Sequence, residues 1–156
     1  MDFARTFFVT TVTWQRRPIF RNEFRAKLLL DVFLHYRQQG RILLHEFVIM
    51  PDHLHLLLTP APSRSLERAI QFIKGGYSYR LGKSYKIPIW QQSFTNYRIR
   101  NQVEYANYRS CIHNNPVRAG LVERPEDYPY SSVSFKDQLD ASPLVSKSPD
   151  TLSRLG

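Results

Sequence analysis

This chain of 156 residues has one cysteine, no long apolar run and few acids. The single thiol, Cys111, excludes an intramolecular disulfide framework and fits a reducing compartment. No stretch of about 18 or more apolar residues occurs, so nothing in the sequence reads as a membrane span. The N-terminal MDFARTFFVTTVTWQRR carries an acid at Asp2 and no small-residue cleavage site, which argues against secretion and for the cytoplasm. Lys and Arg number 22 against 13 Asp and Glu, a formal charge of +9. The length suits one domain with a sizeable core, read as residues 1–135, and a Ser/Pro-rich tail at 136–156.

The charge is concentrated. Between Arg64 and Arg100 stand eight basic residues and one acid, Glu67, interleaved with seven aromatics: Phe72, Tyr77, Tyr79, Tyr85, Trp90, Phe94 and Tyr97. Basic side chains neutralise phosphates and aromatic faces stack on unpaired bases, so the segment has the composition of a single-strand nucleic-acid binder. A solvated basic face with half the aromatics in the core is the alternative.

Along the chain, Thr6–Thr13 (TFFVTTVT) predicts a strand, and Asn22 caps a helix running to about Gln39. Arg41–Met50 and His53–Thr59 predict two strands joined at Pro51-Asp52. Ser65 to about Leu81 predicts a helix in which Gly75-Gly76 signals a kink or a close backbone approach. Ile89–Arg100 predicts a fourth strand, and Asn101 with Glu104 opens a helix that Pro116 is expected to stop near Asn114. The order β-α-β-β-α-β plus a further helix is that of an α+β, ferredoxin-like antiparallel sheet, with two helices on one face and the other face left for a site.

The chemistry sits in FVIMPDHLHLLLTP, Phe47–Pro60. Residues two apart on a strand share a face, so His53 and His55 present their imidazoles together while Leu54 and Leu56 point into the core. Two neutral imidazoles so placed can ligate one divalent ion, although an H-x-H in a strand is more often one core and one surface histidine. A histidine-triad hydrolase would place a third histidine where Leu57 stands, and a two-histidine phosphoesterase would repeat an H-x-[ST] motif that is absent. A metal-dependent nuclease with its nucleophile on a nearby helix is left.

The FVIMPDHLHLLL stretch resembles the HUH motif of single-tyrosine transposases. RRPIF at 16–20, IWQQSFTNYRIR at 89–100, CIHNNPVRAGLV at 111–122 and DYPYSS at 127–132 resemble blocks of the REP-associated tyrosine transposases, in order, over about Thr6 to Ser132. The resemblance implies a ferredoxin-like nuclease acting on single-stranded, hairpin-forming DNA near the nucleoid. It implies one Mg²⁺ or Mn²⁺ held by His53 and His55, and a tyrosine that attacks the phosphate to leave a 5′-phosphotyrosine and a free 3′-hydroxyl. Arg16, Arg17, Arg64, Arg68, Lys74, Arg80, Lys83, Arg98 and Arg100 are the candidate DNA contacts, and the chain is expected as monomer or homodimer.

One position departs from the pattern. The family's tyrosine directly precedes I-H-N-N-P-V, where this chain has Cys111. A thiol stops roughly 4 Å short of a phenolic oxygen, so Cys111 is either a small helix residue facing the sheet or an unusual nucleophile. Tyr108, about 60° round and about 4.5 Å back on the helix, is the other candidate, unless it only packs. Asn115, one turn after Cys111, stands where related enzymes supply a third metal ligand, and a helix-capping role competes. A hairpin-binding protein without cleavage is the alternative function. An RNA-binding ferredoxin-like domain is the weaker third, since aromatic pairs on glycine-containing strands are missing.

Overall fold

A computed structural model describes residues 5–82 and 85–142. The elements are β1 Phe7–Val12, α1 Glu23–Gln38, β2 Ile42–Met50, β3 His53–Pro60, α2 Leu66–Leu81, β4 Thr95–Arg98 and α3 Gln102–Arg118. Strand order is β2-β3-β1-β4, and every neighbouring pair runs antiparallel. This is the expected split β-α-β unit with a further helix. The three helix starts follow the sequence signals. Side chains of Asn22, Ser65 and Asn101 accept the backbone N–H groups of Arg25, Arg68 and Glu104.

Strand alternation sorts the apolar residues onto two faces. Val9, Leu44, Phe47, Ile49, Leu54, Leu56 and Leu58 pack with Leu29, Phe33, Ile70 and Ile73 of α1 and α2. Val48, Met50 and Leu57 point the other way and meet Tyr105 and Ile112 of α3. Two helices therefore cover one face and α3 crosses the other. A bulge between Leu44 and Glu46 makes this sorting possible. With His45 as the extra residue, Leu44 keeps company with Phe47, while Glu46 swings to the α3 face with Val48 and Met50. Gly76 is the close approach that the sequence signalled: a Cβ there would lie 2.5 Å from the Tyr36 hydroxyl of α1.

The structure departs from expectation in three places. The fourth strand is short, because Ile89 and Gln91 bond the loop after β1 instead. Trp14 N–H donates to the Ile89 carbonyl at 2.8 Å and Gln91 N–H to that of Val12 at 2.9 Å. Next, α3 runs through Pro116 and ends two residues later at Arg118. The proline removes one hydrogen bond in a last turn that its buried ring helps to pack, and the stop is supplied by Gly120 at φ 75°. Gly120 N–H bonds Val117 O and Leu121 N–H bonds Pro116 O, the glycine-terminated closure of a helix end.

The third departure lies beyond 135. Asp140 accepts Leu44 N–H at 2.8 Å, returns its own N–H to Leu44 O at 2.7 Å, and takes Arg37 Nε at 2.9 Å. Ile49 N–H likewise bonds Tyr130 O at 2.9 Å, so residues 130–142 cover the outer edge of β2. The expected domain edge thus runs through a packed segment, and the rest of the expected tail lies outside the described residues. Buried His45 belongs to the same lock. Its Nδ1–H donates to the Asp140 carbonyl at 2.9 Å, so its Nε2 accepts from the Thr59 hydroxyl at 2.8 Å, and Thr59 accepts from Thr6 at 2.7 Å. Burial holds this imidazole below its ordinary pKa, which the Asp140 carbonyl only partly offsets.

Candidate functional site

The histidines stand on the α3 face of β3. His53 pairs with Val12 and Met50, and His55 with Thr10 and Val48. Their ring centroids are 4.7 Å apart. Each Nδ1 already has a partner. The Asp52 carboxylate accepts from His53 Nδ1 at 2.7 Å, which leaves the lone pair on Nε2. The Thr10 hydroxyl lies 2.8 Å from His55 Nδ1, fixed there by cross-strand register.

Electrostatics act on the His55 ring and on the carboxylate behind His53. Burial, then the charges of His53 and Arg118, bring the His55 imidazole down to about 3, so it is neutral at working pH. For Asp52, burial raises the carboxyl pKa, but the hydrogen bonds and charges of His53 and Arg16 outweigh that and hold it below the usual carboxylate range. The Arg16 guanidinium reaches Asp52 at 3.2 Å from a loop in which Gln15 and Arg16 adopt φ of 54° and 50°. Left-handed backbone at two successive non-glycine residues is costly. The turn bearing Asp52 is tied to that loop, since both the N–H and the hydroxyl of Thr13 donate to the Asp52 carbonyl at 3.0 Å. An imidazole pair held in this way is a donor set that can ligate one divalent ion.

α3 brings the rest. Tyr105, Ile112 and Pro116 are buried along its sheet-facing stripe. Stepping about 100° per residue puts Tyr108, Cys111 and Asn115 on one flank and Arg109 and His113 on the other. The second flank meets β2: His113 Nε2 donates to Glu46 Oε1 at 2.6 Å, and Ser132 donates to the same oxygen at 2.7 Å. On the first flank Tyr108 does not touch the histidines. Its ring stacks on Phe8 at 4.4 Å, Phe8 stacks on His55 at 5.2 Å, and Tyr97 closes the far side of Tyr108 at 5.3 Å. Phe8 therefore contacts both the expected nucleophile and one of the expected metal ligands.

Cys111 is half-buried, and Arg118 Nη2 donates to its Sγ at 3.3 Å and its carbonyl at 3.1 Å. Because Arg118 also acts on His55, this guanidinium lies within electrostatic reach of the histidine site. Asn115 sits inside the helix, whose cap is Ala119, so the capping role is excluded. Among the described residues its side-chain amide makes no hydrogen bond, which leaves an oxygen available as a ligand.

The expected DNA contacts do not form one surface. Arg16 and Arg17 lie near the histidine end, Arg17 5.4 Å over Trp14. Arg64 and Arg68 gather at Phe72 instead. Lys74 is used internally: its ammonium donates to Gln91 O at 2.7 Å, and burial lowers its pKa. Arg80 and Arg98 are exposed, and Arg100 lies 5.6 Å over Tyr97. Lys83 lies outside the described residues. Asp52, Thr10, Phe8 and Arg118 were missed from sequence. Asp52 directly precedes His53 and could have been found, whereas Thr10, Phe8 and Arg118 needed register and packing.

The chain is an α+β protein, a split β-α-β sheet with a histidine pair beneath a crossing helix. The family described as "Transposase IS200 like" matches residues 5–115, and the chain belongs to it. It is 33% identical over 96 residues to a Haemophilus influenzae protein provisionally named a REP-associated tyrosine transposase, 54% of each chain, so it spans about half that relative's length. It is 25% identical over 140 residues to the REP-associated tyrosine transposase of Escherichia coli, 85% of this chain and 82% of that one. In fold it matches a solved REP-associated tyrosine transposase bound to a REP hairpin, with a TM-score of 0.72 and 24% identity, over 83% of this chain and 77% of the other. No described helix is long and apolar enough to cross a membrane.

Proposed function

We propose that the chain binds hairpin-forming DNA and acts on it as a metal-dependent single-strand endonuclease and strand transferase. The observation that carries this is the histidine pair, whose Nε2 atoms are set by Asp52 and Thr10 and whose inner ring is held neutral. A pair kept only for packing has no need of a carboxylate partner on one ring and a hydroxyl on the other. The relatives named above support a hairpin substrate.

His53, His55 and the Asn115 amide oxygen are the groups that would hold Mg²⁺ or Mn²⁺, and the ion when bound polarises the scissile phosphate. Arg16 and Arg17 place the DNA backbone beside the pair. The Tyr108 hydroxyl forms the bond to phosphorus, the 3′ oxygen leaves with a proton, and a 5′-phosphotyrosine stores the bond energy for rejoining. Tyr108 reaches that position by leaving its stack between Phe8 and Tyr97.

A second reading is favoured by two points: the resemblance puts Cys111 where the family has its tyrosine, and Tyr108 is stacked on Phe8 rather than on His55. The chain is then a hairpin-binding protein that does not cut. The deciding experiment is a suicide hairpin substrate with Mn²⁺, followed by denaturing electrophoresis. A covalent adduct lost in Tyr108→Phe supports the nuclease. An adduct indifferent to Tyr108→Phe and lost in Cys111→Ala transfers the role to the thiol. Binding with no adduct selects the second reading.

A further inference from the structure

Strand register gathers arginines at the end of the sheet remote from His53. Phe7 lies opposite Leu58 and Arg98, and Ile42 opposite Pro60. Arg5 just before β1, Arg41 just before β2, Arg64 just after β3 and Arg98 closing β4 therefore emerge at one end. His53 pairs with Val12 and Met50 at the other. The 8 residues of β3 put about 25 Å between the two ends.

Two of these guanidinium groups, joined by that of Arg68 on α2, converge on one ring. Arg41, Arg64 and Arg68 lie 4.5, 5.1 and 5.4 Å from the Phe72 centroid. They are set in place by the chain itself. Arg5 Nη2 donates to Arg64 O at 2.7 Å and Arg41 Nε to Gln39 Oε1 at 2.8 Å. A concavity of about 500 Å³ opens beside them, lined by Gln39, Gly40, Arg41, Ala61, Ser63 and Arg64. Among the described residues no carboxylate pairs with Arg5, Arg41, Arg64 or Arg68. Like charges held around a single ring repel, and nothing anionic in the described chain offsets the repulsion. An external anion does.

We propose that this end of the sheet is a second, base-blind DNA site that clamps the phosphate backbone of a duplex stem. Guanidinium forks match phosphodiester oxygens. Three guanidinium groups and the Tyr36 ring crowd Phe72, which makes it a poor platform for a base, and the contact reads phosphates. The spread over four strand ends suits a polymer backbone rather than a small phosphate. The inference rests on the hairpin reading and deepens it: the histidines take the cleaved strand while this clamp holds the stem. At 3.4 Å per base pair, about 25 Å corresponds to roughly seven base pairs. A stem of one helical turn spans that distance, and one of about four base pairs does not.

The test is fluorescence anisotropy with labelled hairpins carrying stems of about 4 and about 10 base pairs, the longer also in shuffled sequence, across a salt series. For Arg41→Gln/Arg64→Gln/Arg68→Gln, the slope of log affinity against log salt on the longer stem should become shallower by about 2 to 3. Affinity should fall roughly 10-fold or more near 0.1 M salt, equally for the shuffled stem, with the short stem unaffected. If the triple variant does not melt as the wild type does, Arg64→Gln/Arg68→Gln is read instead, with a slope change of about 2. Phe72→Leu, which keeps every charge but removes the platform, should give a smaller loss confined to the long stem. An unchanged salt slope on the long stem, or equal losses on both stems, overturns the clamp while leaving the hairpin reading intact. A wild type that binds neither stem overturns both.

Discussion

The two sides of the site are built to different standards. On β3 each histidine is tied by a hydrogen bond to a residue from elsewhere in the local fold: His53 through Asp52 to Arg16, and His55 to Thr10 on the adjacent strand. Across from it, the α3 flank holds Tyr108 by ring stacking alone and offers a thiol where a phenol is expected. The comparison teaches that one half of such a site can be oriented atom by atom while the other half is held only by ring packing. Hydrogen bonds specify which atom of a ring faces the site, whereas stacking specifies only where the ring lies.

The largest expected effect breaks the stronger side. His55→Ala should weaken Mn²⁺ binding, read by isothermal titration, by more than the roughly 100-fold that bounds outer-shell changes, and should remove any adduct with the suicide hairpin. Retained metal binding would show that the pair is not the site. Next, Cys111→Tyr repairs the weaker side. Adduct formation should rise by about 100-fold or more if positioning of a nucleophile is what is missing, with hairpin affinity unchanged. A wild type that already forms the adduct at a comparable rate would show that the weaker side is functional as it stands.

A smaller effect probes the support behind His53. Asp52→Asn removes the carboxylate that fixes its tautomer and should weaken Mn²⁺ binding by roughly 10-fold, leaving the position of β3 unchanged. Equal affinity would mean that Asp52 serves only the turn.

The smallest effect is on stability against pH. The His45 and His55 imidazoles titrate near 6.5 in an unfolded chain and lower in the folded one, His55 at about 3. The unfolded state therefore takes up protons first as pH falls. Stability is full above about 6.5 and declines below it, by up to about 1.4 kcal/mol per pH unit for each histidine. Chemical denaturation between pH 7 and 5 should show this slope, and His55→Ala should make it shallower. A flat profile would mean that neither ring stays neutral in the fold.

Much of this was legible in the sequence because it depends on periodicity. Alternation assigned His53 and His55 to one face and Leu54 and Leu56 to the other, and the caps at Asn22, Ser65 and Asn101 stand where side-chain chemistry requires. The misreadings came where tertiary contacts outweighed a local rule. Pro116 was expected to stop α3, but its ring is buried and Gly120 supplies the stop. Ile89 and Trp90 have strand composition, yet their backbone is committed to the loop after β1. Asp140 lies in a Ser/Pro-poor stretch of an expected tail and is bonded to Arg37 and Leu44, a pairing across nearly a hundred residues.

By itself the sequence determined the order of elements, the shared face of the histidine pair and the place of Cys111 along α3, since each follows from spacing along the chain. Only the tertiary structure decided what packs against them. The antiparallel register of β1 against β3 sets Thr10 on His55, and the pleat next to it sends the Phe8 ring into the gap beside Tyr108. The same register collects Arg5, Arg41, Arg64 and Arg98 at the opposite end of the sheet. Pairing partners many residues apart are chosen by the burial of whole faces, and no local pattern encodes which side chains then meet.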